Sequence, residues 1–284
     1  MAALRGKKPA TVEKRLKMLL FGKAGVGKTT AAIQFPKPYL IDTERGAEND
    51  QYVRALEKSG GAYYFTNDPA ELIEEVRALL STKHDYRTLV IDPLTTIYND
   101  LCDKGMKEKG EEFGRYKLPA DRMVKHLLNL LLRLDMNVII TSHAKGEWAN
   151  GAPTGKDTFD CYNKLDYLFD LAVEVQKRGT ERVGVVRKSR VEGFSDSEVF
   201  PFSYDEIATR YGRETLERTS HEQVLASDTQ IAEIKSLVDL MKVPNDTIEK
   251  WLDKAGAAEW SEMPADSIAK CIAYLKDQVT KGAA

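Results

Sequence analysis

Cysteine is scarce. Cys102, Cys161 and Cys271 are the only three in 284 residues, and no two form a C-x-x-C pair. Their odd number and wide spacing exclude a disulfide framework and a cysteine-based metal cluster, and a reduced intracellular protein is expected. No apolar run approaches the roughly 20 residues needed to span a bilayer. The basic N-terminal stretch (MAALRGKKPATVEKR) lacks the apolar segment of a secretory signal. No membrane partner is expected, and the cytoplasm is the expected location. An excess of charge of one sign is also missing: 42 Lys and Arg against 44 Asp and Glu leave a net of −2. The whole-chain balance therefore does not announce a nucleic-acid binder. Residues 222–284 hold 7 basic and 11 acidic residues (net −4), which leaves 35 and 33 (net +2) for residues 1–221. That mild asymmetry fits two units with different partners. Internal repeats and low-complexity tracts are absent, which excludes a solenoid.

What remains is a chain 42% hydrophobic, enough for one sizeable α/β core and a small appendage. Residues 1–15 read as a polar arm, 16–204 as the core, 205–226 as a polar linker and 227–284 as a C-terminal helical bundle. The apolar run Leu16–Phe21 is a strand that enters a glycine-rich loop, and the helix after that loop must stop before Pro36 and Pro38. Tyr39–Asp42, Thr88–Asp92 and Asn137–Thr141 are short buried strands. Asp68-Pro69-Ala70-Glu71 reads as a capped helix start, running to about Leu80. Met123, Val124, Leu127, Leu128, Leu131 and Leu134 form the apolar stripe of a helix over Ala120–Leu134. Asp103–Lys117 and Lys145–Thr158, rich in glycine and charge, read as loops. Leu171–Gln176 and Arg182–Val186 form a hairpin, and three helices follow residue 227, with Asp228 and Asp246 as start caps and breaks at Gly256 and Pro264. The alternation gives an α/β fold with a mainly parallel, twisted sheet covered on both sides, and the hairpin adds an antiparallel edge.

Gly22-Lys23-Ala24-Gly25-Val26-Gly27-Lys28-Thr29 matches G-x-x-x-x-G-K-[ST] in full, with a strand before it and a helix after it. The glycines let backbone N–H groups converge on phosphate oxygens, and the helix N-terminus adds its positive dipole end. Lys28 reaches the β- and γ-phosphates, the Thr29 hydroxyl is a ligand for Mg²⁺, and Thr30 completes the set that binds ATP. Asp92 closes its strand where P-loop enzymes place a Mg²⁺-holding carboxylate; the other reading is a helix cap before Pro93. In Leu40-Ile41-Asp42-Thr43-Glu44, the strand end lies beside the loop if its strand neighbours the first one. A carboxylate there can polarise the water that attacks the γ-phosphate.

A strand ending Ile-Asp-x-Glu just after the P-loop helix resembles the RecA-type and eukaryotic-type recombinases. The resemblance makes Glu44 the catalytic base. It makes His143, in Thr141-Ser142-His143, the γ-phosphate sensor, a position where helicases of the DnaB kind and phage relatives often carry His. It gives Lys188 and Arg190 of Lys188-Ser189-Arg190 the role of cations reaching a neighbour's γ-phosphate, which implies a homo-oligomer with shared active sites. It also places single-stranded DNA on the two loops, through Lys107, Lys109, Arg115 and Tyr116, and through Lys145, Trp148 and Lys156. Basic residues interleaved with aromatics suit single strands; flexible surface loops are the plainer alternative. The order GKAGVGKTT, LIDTERG, LVIDPLTT, VIITSHAK, VVRKSR is similar to the phage RecA-core ATPases that act as single-strand annealing proteins or minimal recombinases. The implied function is an ATPase stimulated by single-stranded DNA, in the host cytoplasm if phage-encoded, with the C-terminal helices free to contact a single-strand DNA-binding protein. A DnaB-like ring helicase or loader, and a P-loop switch or small-molecule kinase unconnected with DNA, remain the alternatives.

Overall fold

Leu89-Val90-Ile91 and Val138-Ile139-Ile140 are apolar at every position, so strands built from them need cover on both faces. The computed structural model describes residues 14–282 and supplies that cover. The expected N-terminal arm lies outside the described residues up to residue 13. Strands β1 (Lys17–Gly22), β2 (Pro38–Asp42), β3 (Ala62–Phe65), β4 (Thr88–Asp92), β5 (Asn137–Ala149), β6 (Ala152–Phe159), β7 (Leu171–Arg178), β8 (Glu181–Ser189) and β9 (Val199–Pro201) form one nine-stranded sheet. Its order is β3-β2-β4-β5-β1-β7-β8-β9, with β6 paired to β5. Every pairing from β3 to β7 is parallel, and β6, β8 and β9 add antiparallel pairs.

Helices α1 (Lys28–Ala32), α2 (Asp50–Ser59), α3 (Pro69–Ser81), α4 (Leu94–Lys109), α5 (Leu118–Arg133), α6 (Leu165–Leu168), α7 (Tyr204–Tyr211) and α8 (Arg213–Glu217) belong to this core. Side chains alternate across each strand. Leu89 and Ile91 of β4 pack with Val76 of α3 and Leu127 of α5 on one face, while Val90 packs with Leu56 of α2 and Ile207 of α7 on the other. Asp68 caps α3 as expected, accepting from the backbone N–H of Ala70 and Glu71.

Several expectations are corrected. The stretch from Asp103 to Lys109 is helix, not loop, because Leu94, Ile97, Tyr98, Cys102 and Gly105 are buried at helical spacing along α4. Gly105 is there for close approach: a Cβ would lie 2.1 Å from the Tyr116 carbonyl oxygen. The expected loop over 145–158 is a β-ribbon, in which β5 runs on to Ala149 and returns as β6. Asn150 (φ 52°) and Gly151 (φ 79°) turn it, since a two-residue hairpin turn of this kind needs positive φ at both positions. The polar stretch from residue 205 begins with α7 and α8, whose Ile207, Ala208 and Leu216 are fully buried. Arg15, expected in a loose arm, holds that region: its guanidinium pairs with Asp135 at 3.0 Å and donates to the carbonyls of Thr215, Arg218 and Thr219.

The C-terminal helices α9 (Asp228–Leu240), α10 (Asn245–Ala255) and α11 (Ala265–Gly282) have their own core around Ile234, Met263, Ile268 and Leu275. The cap of α9 is Ser227, in a capping box with Gln230, rather than Asp228, and α10 begins at Asn245 behind Pro244 rather than under Asp246. Gly256 (φ 64°) ends α10, as its placement predicts.

One buried carboxylate ties these helices to the core that surrounds the sheet. Glu262 is fully buried, and its Oε1 accepts from Arg77 of α3 at 2.8 Å and from His126 of α5 at 2.7 Å. Its Oε2 accepts from the Ala258 N–H at 2.7 Å, and Arg133 donates to its carbonyl at 2.6 Å. Burial works against the charge, but the His126, Ala258 and Arg77 hydrogen bonds outweigh it and hold the carboxyl at about 2. A carboxyl held below its unfolded value of about 4.3 adds stability that is complete above that value and is lost as pH falls toward 2. Glu262→Gln is therefore expected to lower stability at pH 7 by about 2–4 kcal/mol, because it removes the buried charge around which the Arg77 guanidinium and the Ala258 N–H are arranged. Melting curves of parent and variant should converge as pH falls from about 4 toward 2; equal melting at pH 7 would refute the clamp.

Candidate active site

Strand β1 delivers its glycine loop at the C-terminal end of the parallel sheet, beside β5 on one side and β7 on the other. Gly22 passes so close to β7 that a Cβ would lie 2.4 Å from the Val175 carbonyl oxygen. Gly25 and Gly27 have φ of 74° and 95°, which a side chain rarely tolerates. The loop therefore has the backbone freedom that a phosphate cradle requires. Lys28 folds back onto it, donating to the carbonyls of Gly22 (2.9 Å) and Lys23 (3.0 Å). Burial lowers the pKa of its ammonium, against the opposing pull of Asp92 and Glu44.

Thr29 donates to Asp92 Oδ2 at 2.5 Å, and Thr141 donates to the other oxygen of Asp92. Burial raises the pKa of this carboxyl, while the Thr141 and Thr29 hydroxyls and Lys28 act the other way. A desolvated carboxylate beside a threonine hydroxyl fits a hard cation. Among the described residues no group of three or more His, Cys, Asp or Glu forms a metal cluster. A two-oxygen protein set, completed by phosphate and water, is the way Mg²⁺ is usually held.

Strand β2 is not a neighbour of β1, because β4 and β5 stand between them. Glu44 nevertheless belongs to this end of the sheet. It follows β2, its Oε1 accepts from Thr96 of α4 at 2.6 Å, and it faces His143 Nε2 at 3.4 Å. Both side chains are 44% exposed. Asp42, 4% exposed, accepts the Glu44 N–H at 2.9 Å and thus shapes the backbone that presents Glu44. His143 pairs in register with Gly22 across β1 and β5. Its N–H donates to Thr95, and its carbonyl accepts from the N–H of Asp160, just past the end of β6. The fold therefore brings together Lys28, Thr29, Asp92, Glu44 and His143, five residues separated by more than a hundred positions.

The other candidates lie elsewhere. Lys145 and Lys156 are exposed on the β5–β6 ribbon, Lys145 pairing with Asp160 at 3.0 Å, and Trp148 is 67% exposed near its tip. Lys107 and Lys109 are exposed in the last turn of α4, and Arg115 is exposed beyond it. Tyr116 is half-buried against the core. Lys188 donates to the carbonyls of Asp166 and Phe169, and Arg190 to that of Tyr167. Lys188 pairs with Ala172 near the start of β7, so within one chain it sits toward the end of the sheet opposite the P-loop. The cation that one chain does bring to the loop is Arg182, near the start of β8, which sequence reasoning passed over. Its Nε donates to the Val26 carbonyl at 3.1 Å, and the side chain occupies the space where a Cβ on Gly27 would lie. Lys23 reaches Asp157 of β6 at 3.9 Å, a weak link between loop and ribbon.

The sequence matches the family described as AAA domain over residues 14–201. Among solved structures it is similar to one titled as the RadB recombinase, at 18% identity and a TM-score of 0.46, covering 67% of this chain and 88% of that one. A search of the curated proteins found no match.

Proposed function

The chain belongs to the AAA domain family, and from that premise, with its P-loop site an ATPase site, we propose that it is a RecA-like, DNA-stimulated ATPase of recombination or strand annealing. One observation carries the reading. Beside a complete phosphate loop, Glu44 faces His143 of β5, and that strand runs without a break into a ribbon bearing the exposed Trp148. Glu44 takes the proton of the attacking water, and Lys28 and the loop N–H groups hold the β- and γ-phosphates. Thr29 and Asp92 hold Mg²⁺, which neutralises phosphate charge when bound. His143 reports the γ-phosphate to the ribbon. Lys145, Trp148 and Lys156, with Lys107, Lys109, Arg115 and Tyr116 in the outer turn, face the single strand; Tyr116 must leave its seat on the core to stack on a base.

Assembly belongs to the same reading. Lys188 and Arg190 are assigned to a neighbour's γ-phosphate, for which an interface must compete with the carbonyls of residues 166–169 that hold them in one chain. The C-terminal helices are assigned to a single-strand DNA-binding protein, and the cytoplasm is the working location. Among the described residues no helix is long and apolar enough to cross a membrane.

The test is ATP turnover across a range of protein concentrations, with and without an oligo-dT strand. The reading expects stimulation by the strand and a rate per chain that rises with concentration as shared sites form. A basal rate indifferent to DNA would return the protein to the class of P-loop switches. Stimulation that is flat with concentration would remove the shared site alone.

A further inference from the structure

The C-terminal helices carry a groove that the ATP site does not use and that lies outside the residues matching the family. It runs between α10 and α11 and encloses about 330 Å³. Met263 and Cys271 line it at depth, Trp251 and Tyr274 form aromatic walls, and Lys254 and Lys270 stand at its rim. Met263 is 1% exposed and Tyr274 is 56% exposed, so the groove grades from dry to open. The walls are already built: the Trp251 ring packs edge-on to Tyr274 with centroids 6.2 Å apart, and against Trp260 at 6.5 Å. An incoming side chain would meet ordered surfaces and lose little affinity to ordering them.

The charges around the groove are sorted. Residues 222–284 carry a net of −4, yet among the described residues no Asp or Glu lines this groove. Lys276 and Lys281 are paired with Glu233 and Asp277 at 2.5 and 2.6 Å. Lys254 and Lys270 are exposed and make no ion pair among the described residues. Two unpaired ammonium groups flanking an apolar, aromatic slot form a recognition pattern: the slot takes one anchor, and the cations take carboxylates on either side of it.

We propose that this groove docks an acidic protein segment carrying one large apolar side chain. The number of cations favours a short segment over a nucleic acid. A strand leaving the groove would run its continuous phosphate charge onto an acidic domain, whereas a peptide with a carboxylate on each side of its anchor is matched by Lys254 and Lys270. The inference does not depend on what the ATP site drives.

The experiment uses the full chain without nucleotide and two fluorescein-labelled probes, peptides with a single Phe or a single Leu flanked on each side by two Asp or Glu. Anisotropy should show saturable binding of at least one probe, no binding of the same peptide with Ser at the anchor, and weakening by raised salt. Lys254→Glu/Lys270→Glu should weaken binding at least about tenfold with melting temperature and ATP turnover unchanged, since both side chains are exposed. Tyr274→Ala, which also removes the ring contact with Trp251, should weaken binding with ATP turnover unchanged. Failure of both probes, or equal binding by the charge-reversed variant, overturns the proposal. An oligo-dT strand that binds where the peptides do not, and is lost in the charge-reversed variant, overturns it in favour of nucleic acid. ATP turnover is read separately, so loss of the peptide site and loss of the ATPase reading are distinct results.

Discussion

Glu44→Gln protein is expected to bind Mg-ATP like the parent and to turn it over about 10²–10⁴-fold more slowly, the range that a positioned base supplies. The substitution is nearly isosteric. A glutamine at this position still accepts from Thr96, which now donates at 2.6 Å, and still faces His143. The fold and the nucleotide cradle are therefore left alone, and the melting temperature should not move. Only the capacity to take a proton is lost. Lys28→Ala is expected to fail earlier, at binding or hydrolysis, because the phosphates lose a point charge that no neighbour replaces. In the protein without nucleotide that ammonium contacts only the loop carbonyls of Gly22 and Lys23 among the described residues, so its removal should cost little stability. The two variants separate the roles: equilibrium binding of a fluorescent ATP analogue should survive in Glu44→Gln and not in Lys28→Ala. Near-parental turnover in Glu44→Gln would move the base elsewhere, and Asp42, the other carboxylate on this strand end, is too buried at 4% exposure to replace it easily.

The parallel strands were legible because burial on both faces leaves uninterrupted apolar runs, as in Leu89-Val90-Ile91. The phosphate loop was legible because its glycines answer to backbone geometry that no other residue type meets. What was hidden depends on long-range contact. Asp103–Lys117 has the composition of a loop, and only the packing of Tyr116 over Gly105 shows why a glycine belongs in α4. Arg15 reads as one more charge in a basic arm until α8 and the residues after it present their carbonyls to it. Glu262 reads as a surface acid until Arg77 and His126 arrive from two other helices. The β5–β6 ribbon is a different case. Asn150-Gly151 is the strongest short hairpin signal a sequence can carry, and the surrounding glycine and charge masked it. Arg182 had a signal too: a P-loop glycine whose Cβ space is filled needs something to fill it, but nothing in the sequence says which cation.

Single-stranded DNA is expected to bind more tightly with a non-hydrolysable ATP analogue than with ADP, and Trp148→Ala is expected to remove most of that affinity. The expectation rests on a continuous physical path. His143 faces Glu44 at one end, and two residues on, Lys145 pairs with Asp160, which also accepts from Asn99 of α4. Burial opposes the Asp160 charge, but the Lys145 ammonium and the Asn99 amide hold its carboxyl below the usual range, so this carboxylate stays charged at neutral pH. A shift of His143 toward a γ-phosphate would therefore be expected to move the base of the ribbon as well as its own strand. Lys23 offers a second handle, since a phosphate competes for it with Asp157 at 3.9 Å. A two-state element biased from one site is what coupling requires. Stacking of a base on an exposed indole is worth about 1–3 kcal/mol, which is roughly 5- to 150-fold in affinity, and Lys145 and Lys156 add a contribution that falls with salt. The measurement is anisotropy of a labelled oligo-dT with ATP analogue, with ADP and with no nucleotide, at two salt concentrations. Trp148 is 67% exposed and pairs with Pro153 on the ribbon, so Trp148→Ala should leave nucleotide affinity and basal turnover in place while DNA-stimulated turnover falls. Binding that ignores both nucleotide and Trp148 would sever the ribbon from the ATP site and leave His143 as a residue of the phosphate site alone.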